Sequence, residues 1–340
     1  MIGLKVTYLT ECNTEIGHIQ PKLDYIKCGV PQGSILGPLL FLLYINDIVM
    51  SSEIFKFTLF ADDTSLFYSH KNEQDAIPIL NAEFSKISNW LAANKLSLNV
   101  GKSKLLIFTN QKSRSTSTKP NDTEPSSTQN TAKSELFING EKLKEVDHAK
   151  YLGVLIDNKL KWNNQIDAIN LKLSKGNGLL AKIRHYVPKS VLRSLFFSFI
   201  NPHIDYNLLN WSMAASTKLD TVGNKLKKAV RIISFENYDT PSTPLFKNLN
   251  ILPLSGAIKI KLAKFMWKLF NGLLPRSISA NFHANPRTII SHHDSRLTSL
   301  ERFVLFNGPK IWNEIPNSIK TKPSLNAFSK NLSKFYLNNL

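Results

Sequence analysis

Cysteine is nearly absent. Only Cys12 and Cys28 occur in 340 residues, without the spacing of paired ligands. That excludes a disulfide framework and a zinc knuckle, and it points to a reducing compartment, nuclear or cytoplasmic. No leader is expected either, because Met1-Ile2-Gly3-Leu4-Lys5 runs into a polar mixture. No apolar run is long. The richest one, residues 35–50, is interrupted by Gly37, Pro38, Asn46 and Asp47. It falls short of the ~20 residues that a membrane-spanning helix needs and reads as core, so no membrane partner is expected. The eight histidines are scattered, and His292-His293-Asp294 sits in a polar, loop-like stretch that reads as surface. Acidic residues are scarce in the back half. Residues 151–340 hold 27 Lys+Arg against 9 Asp+Glu, whereas residues 1–150 hold 16 of each, so the back half carries the whole net charge of +18. A polyanion, nucleic acid rather than a membrane surface, is the partner such a half suits. Hydrophobic residues at 42% and charged residues at 20% are an ordinary globular balance.

What is present concentrates in residues 29–68. Gly29 and Gly33 bracket a loop, Val30-Pro31-Gln32, that is free to take unusual φ angles and to let another molecule near the backbone. Gln32 brings a donor and an acceptor to that loop. Pro38 suits the first turn of a helix, and the run to Ile48, apolar nearly all round, predicts that this helix is buried. Its positive end would face the Gly-rich loop, where a phosphate could sit. Further on, Phe57-Thr58-Leu59-Phe60-Ala61-Asp62-Asp63-Thr64-Ser65-Leu66-Phe67-Tyr68 reads as two buried strands around a short turn. A solvated turn is the plainest account of Asp62-Asp63 alone. Set behind the Gly-rich loop and the helix, the pair reads instead as a metal-binding doublet. Adjacent carboxylates repel, and hard divalent cations compensate them.

Together, Gly29-Val30-Pro31-Gln32-Gly33-Ser34 and Phe60-Ala61-Asp62-Asp63, in this order and spacing, resemble the reverse transcriptases of jockey-like non-LTR retrotransposons. The resemblance implies an RNA-directed DNA polymerase, a nucleotidyltransferase with a two-metal Mg²⁺ site. RNA template, DNA primer and deoxynucleoside triphosphates would be its partners. Asp62 and Asp63 would be the catalytic metal ligands of the palm, and Pro31, Gln32 and Gly33 would lie at the nucleotide and template. Lys95-Leu96-Ser97-Leu98-Asn99-Val100-Gly101-Lys102 before an apolar strand, Leu105-Leu106-Ile107-Phe108, is similar to the family's next palm motif. Lys102 would there assist the leaving pyrophosphate; its plain alternative is a solvated loop lysine. A strand over Tyr151–Asp157 opens with Tyr151-Leu152-Gly153, which matches the primer grip that holds a primer's 3′ end. A Gly inside a strand often marks close approach by another backbone.

The remaining chain is read from periodicity. Ile77, Leu80, Phe84, Ile87 and Leu91 predict an amphipathic helix over 76–92, with Pro78 in its first turn. Residues 110–134 lack apolar residues and predict a disordered insertion. Asn139-Gly140 predicts a tight hairpin. From Trp162 the chain turns helical, with a break expected at Gly176-Asn177-Gly178. Further helices are expected around 191–199, 219–233 and 258–269. Lys172 and Lys175, then Lys225, Lys228 and Arg231, form basic stripes on them, as do Lys261, Lys264 and Lys268. One such stripe is ordinarily a solvated face. Several together, with few acids nearby, suit phosphate contacts by a polymerase thumb. The end of the chain, Gly308-Pro309-Lys310-Ile311-Trp312 onward, also resembles jockey-like reading frames, with no chemistry assigned to it.

The expected fold is therefore α+β. A partial palm over 1–109 precedes the insertion at 110–134. A palm end with the primer-grip hairpin covers 135–161, a helical thumb 162–235 and a helical C-terminal region 236–340. The family's palm takes a third carboxylate from a strand ahead of the Gly-rich loop. Asp24 stands too near Gly29 for that and reads as surface, so the chain looks truncated and its own polymerase activity is expected to be low. The rival expectations are a non-catalytic nucleic-acid-binding remnant and an element relic without selected function.

Overall fold

A computed structural model describes residues 33–108, 135–279 and 304–340. They fall into two compact units, one holding residues 33–105 and 135–145, the other 106–108, 146–279 and 304–340. Both mix helices with small sheets, as an α+β chain should.

The first unit begins with α1 (Gly37–Ile45) and a 3₁₀ turn over Asn46–Ser51. Then come β1 (Lys56–Phe60), β2 (Asp63–Phe67), α2 (Glu73–Ala93), β3 (Lys104–Leu105), β4 (Phe137–Ile138), β5 (Glu141–Lys142) and β6 (Lys144–Glu145). Strands β1 and β2 pair antiparallel, as do β4 and β5, while β3 and β6 pair in parallel. Its core gathers Ile48, Phe55, Phe84, Ile87, Leu91, Leu136 and Ile138, with the Phe55 and Phe84 rings stacked 5.4 Å apart.

Three expectations fail here for physical reasons. Helix α1 is not buried: only Gly37 and Ile45 are, while Leu39, Leu42 and Leu43 are half-exposed or more. An apolar run shows that a helix has faces to cover, and the described elements cover one. Helix α2 starts five residues before Pro78, because Asn72 caps it by accepting from the Gln74 N–H at 3.1 Å, and Glu73 and Asp75 favour its first turn. Pro78 therefore lies inside the helix on an exposed face, where water can meet the Gln74 carbonyl left unbonded. The stretch after Lys102 gives only the two residues of β3 rather than a strand through Phe108. By contrast, Asn139 and Gly140 make the predicted hairpin turn, at φ 53° and 78°.

The second unit opens with β7 (His148–Tyr151) and β8 (Val154–Asp157), an antiparallel pair. Thirteen helices occur among the described residues. Eleven of them lie in this unit, the first ten being α3 (Asn163–Ile183), α4 (Lys189–Phe199), α5 (Asn201–Asp205), α6 (Leu208–Trp211), α7 (Ser216–Ser234), α8 (Ser242–Leu249), α9 (Leu254–Phe270), α10 (Arg276–Ser279), α11 (Val304–Glu314) and α12 (Asn317–Lys320). Helix α13 (Leu325–Asn338) closes the chain. One core joins α3, α4 and α7 around Ile166, Leu173, Leu192, Phe196, Trp211 and Leu226. Another joins α9, α11 and α13 around Met266, Trp267, Trp312 and Phe328.

The break expected at Gly176-Asn177-Gly178 is absent, and α3 runs unbroken. Gly176 is there for closeness: a Cβ on it would lie 2.7 Å from Ile200 Cγ1. Asn177, buried beside it, donates to the Lys225 carbonyl at 2.9 Å and ties α3 to α7. The C-terminal Gly308-Pro309 motif is likewise a packing device. A Cβ on Gly308 would meet Met266 Sδ at 2.7 Å, and the Trp312 ring lies 4.8 Å from that of Phe270.

Candidate catalytic hairpin and nucleic-acid interface

Strands β1 and β2 pair in register from Lys56 opposite Phe67 to Phe60 opposite Asp63, leaving Ala61-Asp62 as the turn. Ala61 takes φ 51°, so the turn is tight. The strands are half-buried, not buried as expected. Phe57, Leu59 and Leu66 pack on the core while Lys56, Phe60 and Phe67 face away from it, as period-two alternation demands. Asp62 and Asp63 are both exposed, Asp62 in the turn and Asp63 opening β2. No cation among the described residues pairs with either. Two exposed, unpaired carboxylates are hard oxygen donors and fit a divalent cation chemically. They are two ligands only, and no group of three or more His, Cys, Asp or Glu converges among the described residues.

Pro31 and Gln32 lie outside the described residues, as do Asp24, the two cysteines, His292-His293-Asp294 and the expected insertion. Gly33 is exposed at φ 86°, a conformation open to glycine, with empty space where a Cβ would be. Next to it Ser34 Oγ accepts from the Gly37 N–H at 3.1 Å, and Pro38 occupies the first turn of α1 as predicted. Lys102 is exposed. Its backbone N–H donates to Asn99 Oδ1 at 3.0 Å, so Asn99 shapes the loop that presents it.

In the second unit Tyr151-Leu152-Gly153 does not run as one strand. Tyr151 ends β7, while Leu152 and Gly153 form a two-residue turn at φ 43° and 84°. What approaches Gly153 is a side chain, not a backbone: the Tyr206 ring lies 3.4 Å from where a Cβ would be. The Asp157 carboxylate accepts the N–H groups of Lys159 at 3.1 Å, Lys161 at 2.9 Å and Trp162 at 2.6 Å, fixing the loop into α3.

The basic residues divide by use. Lys172, Lys175 and Lys228 are exposed, and Lys225 is half-buried. Arg231 is engaged: Nε donates to the Thr240 carbonyl at 2.8 Å, and its guanidinium lies 5.5 Å from the centre of the Tyr238 ring. Lys261 pairs with Asp205 at 2.7 Å. Burial, then the neighbouring Lys261, pushes the Lys264 ammonium below its ordinary range. Burial and the nearby Lys172 ammonium push His203 down as well.

Sequence reading missed Asn81, Asp157, Asn177 and Tyr206. Asn81 Oδ1 accepts from the Phe137 N–H at 2.9 Å, and its amide donates to the Glu135 carbonyl at 3.3 Å, which seats β4 on α2. Asp157, followed by Asn158, carried a legible signal for a turn closed by its own carboxylate. Tyr206 carried none.

Residues 4–156 match the reverse transcriptase (RNA-dependent DNA polymerase) family. The chain is 25% identical over 234 residues to a probable RNA-directed DNA polymerase from transposon X-element of Drosophila melanogaster, covering 66% of this chain and 24% of that one. It is 23% identical over 297 residues to the RNA-directed DNA polymerase from mobile element jockey of the same fly, covering 81% and 30%. For the jockey polymerase of Drosophila funebris the identity is 24% over 282 residues, covering 78% and 29%. The chain thus spans less than a third of the length of these relatives. No solved structure matches it. Over residues 4–156 the chain is thus similar to the reverse transcriptase family, and over a longer stretch to the RNA-directed DNA polymerases of the mobile elements jockey and X-element.

Proposed function

We propose that the chain supplies the metal-binding hairpin and the duplex-gripping helices of an RNA-directed DNA polymerase that copies an RNA template onto a DNA primer. The observation that carries this is the β1–β2 turn, where Asp62 and Asp63 stand exposed and unpaired inside the segment that matches the family. The two carboxylates would hold Mg²⁺, which when bound neutralises charge on the phosphates and lowers the pKa of a primer 3′-hydroxyl. The loop at Gly33 brings backbone within reach of a nucleotide, and Lys102 offers a cation to the departing pyrophosphate. On this proposal residues 33–108 and 135–145 are palm, 148–157 the primer-grip hairpin, and the helices from α3 to α7 the thumb. Lys172, Lys175, Lys225 and Lys228 would contact phosphates, with Arg231 supporting the end of α7. A pair of ions needs ligands from more than one strand, and no group of three or more His, Cys, Asp or Glu converges among the described residues. Extension by this chain alone is therefore expected to be slow.

Primer extension on an RNA template with Mg²⁺ or Mn²⁺ tests the proposal. It is run on the chain alone and on the chain joined to the preceding part of the jockey polymerase. Metal-dependent extension, stronger in the joined protein and lost on Asp62→Asn, is expected. Extension that survives Asp62→Asn, or none in the joined protein, would overturn it.

A further inference from the structure

The β7–β8 tip is held in a way its own sequence does not require. Leu152 sits at φ 43°, a region that disfavours a branched side chain and suits Gly or Asn. The Tyr206 hydroxyl donates to the Leu152 carbonyl across 54 residues of chain. Its ring covers Gly153 in ordinary van der Waals contact, 3.4 Å from where a Cβ would be, while φ 84° is what requires glycine there. Tyr206 is itself anchored. Its carbonyl accepts the indole N–H of Trp211 at 3.0 Å, and Trp211 is wholly buried. A rigid path therefore runs from the core of the helical unit to the turn. The carbonyl of Leu152 is occupied, whereas the N–H groups of Leu152 and Gly153 find no acceptor among the described residues. Tyr206 leaves those two donors at the tip and is itself more than half exposed.

We infer that Tyr206 is the positioning residue of this tip, locking the Leu152-Gly153 turn so that its two N–H groups donate to the sugar-phosphate oxygens at the 3′ end of a primer strand. The inference rests on the primer-grip reading of the hairpin. A tyrosine that merely packs a turn would stabilise the hairpin and leave recognition of a strand end untouched. A tyrosine that presents donors would affect that recognition specifically.

The test uses the full chain and two variants, Tyr206→Phe, which keeps the ring over Gly153, and Gly153→Ala. Hydrogen exchange is followed across residues 148–157. Fluorescence anisotropy compares an RNA–DNA duplex bearing a recessed DNA 3′ end with a blunt duplex of equal length. Loss of one hydrogen bond, about 1 kcal/mol, corresponds to roughly fivefold faster exchange in the hairpin for Tyr206→Phe. A several-fold loss of affinity for the recessed end, with blunt-duplex affinity unchanged, completes the expected result. Gly153→Ala should give the same pattern more strongly. Unchanged exchange in Tyr206→Phe, or equal weakening for both duplexes, would overturn the inference. If the unmodified chain binds both duplexes equally while Tyr206→Phe still loosens the hairpin, the primer-grip reading falls and the clamp stands.

Discussion

The two units are packed to different standards. Among the described residues, every large side chain that is fully buried, from Trp211 and Phe196 to Phe328 and Met266, belongs to the helical unit. In the first unit the best-buried side chain is Ile48 at 2%, most of the others lie between 5% and 9%, and Leu42, Leu43, Phe60 and Phe67 stand exposed. The unit bearing the candidate chemistry is thus the looser one among the described residues. The unit bearing the basic residues closes its cores by itself. A metal-binding turn asks little of its scaffold beyond two strands in register. A face that grips a polyanion needs helices that keep their spacing under load.

The sharpest way to break this contrast is to remove one large side chain from each unit. Trp211→Ala empties a fully buried site and should cost roughly 3–5 kcal/mol. Phe84→Ala, in the looser core, should cost less because its surroundings can relax. Urea denaturation measures both, and equal losses would remove the distinction.

Charge sharpens the contrast next. If the helical unit engages about six phosphates, log K for a duplex should fall against log salt with a slope near −5. Lys228→Glu should lower the magnitude of that slope by about 1, and Lys56→Glu in the first unit should leave it alone. A salt-independent affinity would refute the assignment of charge to phosphate contact.

Smaller effects come from two helical glycines. Gly176→Ala drives a methyl into Ile200 and should destabilise by about 1–3 kcal/mol. Gly223→Ala meets nothing within 4 Å and should stabilise by about 0.5–1 kcal/mol. Thermal unfolding reads the opposite signs.

The smallest effect is one of pH. Glu83 is buried and accepts from Lys86 and Ser52, and these bonds hold its carboxyl below the usual carboxylate range against the opposing pull of burial. A lowered folded pKa contributes stability above the unfolded value and loses it as pH falls through the folded value. The first unit should therefore weaken on acidification below the carboxylate range, while Glu83→Gln should flatten that dependence. Fluorescence of Trp90 across the pH range would follow it.

Much of this was legible in the sequence where a residue acts locally. Asn139-Gly140 specified its hairpin, Pro38 its helix start, and the periods of α4, α7 and α9 their faces. Local signals failed where a distant partner decides. Gly176 reads as a break until Ile200 is known to press on it, and Pro78 reads as a start until Asn72 is seen to cap the helix earlier. Tyr151-Leu152-Gly153 reads as a strand because nothing nearby announces Tyr206. The carboxylate pair was legible as a pair. Its exposure followed from packing on one face only, which alternation within β1 and β2 already permits.

The central claim is that metal binds at the β1–β2 turn. Titration of the full chain with Mn²⁺, read by paramagnetic broadening of backbone amide resonances, tests it directly. Broadening confined to residues around Ala61-Asp62-Asp63, and abolished by Asp62→Asn with Asp63→Asn, is the predicted result. Broadening centred elsewhere, or unchanged in the double variant, would contradict it.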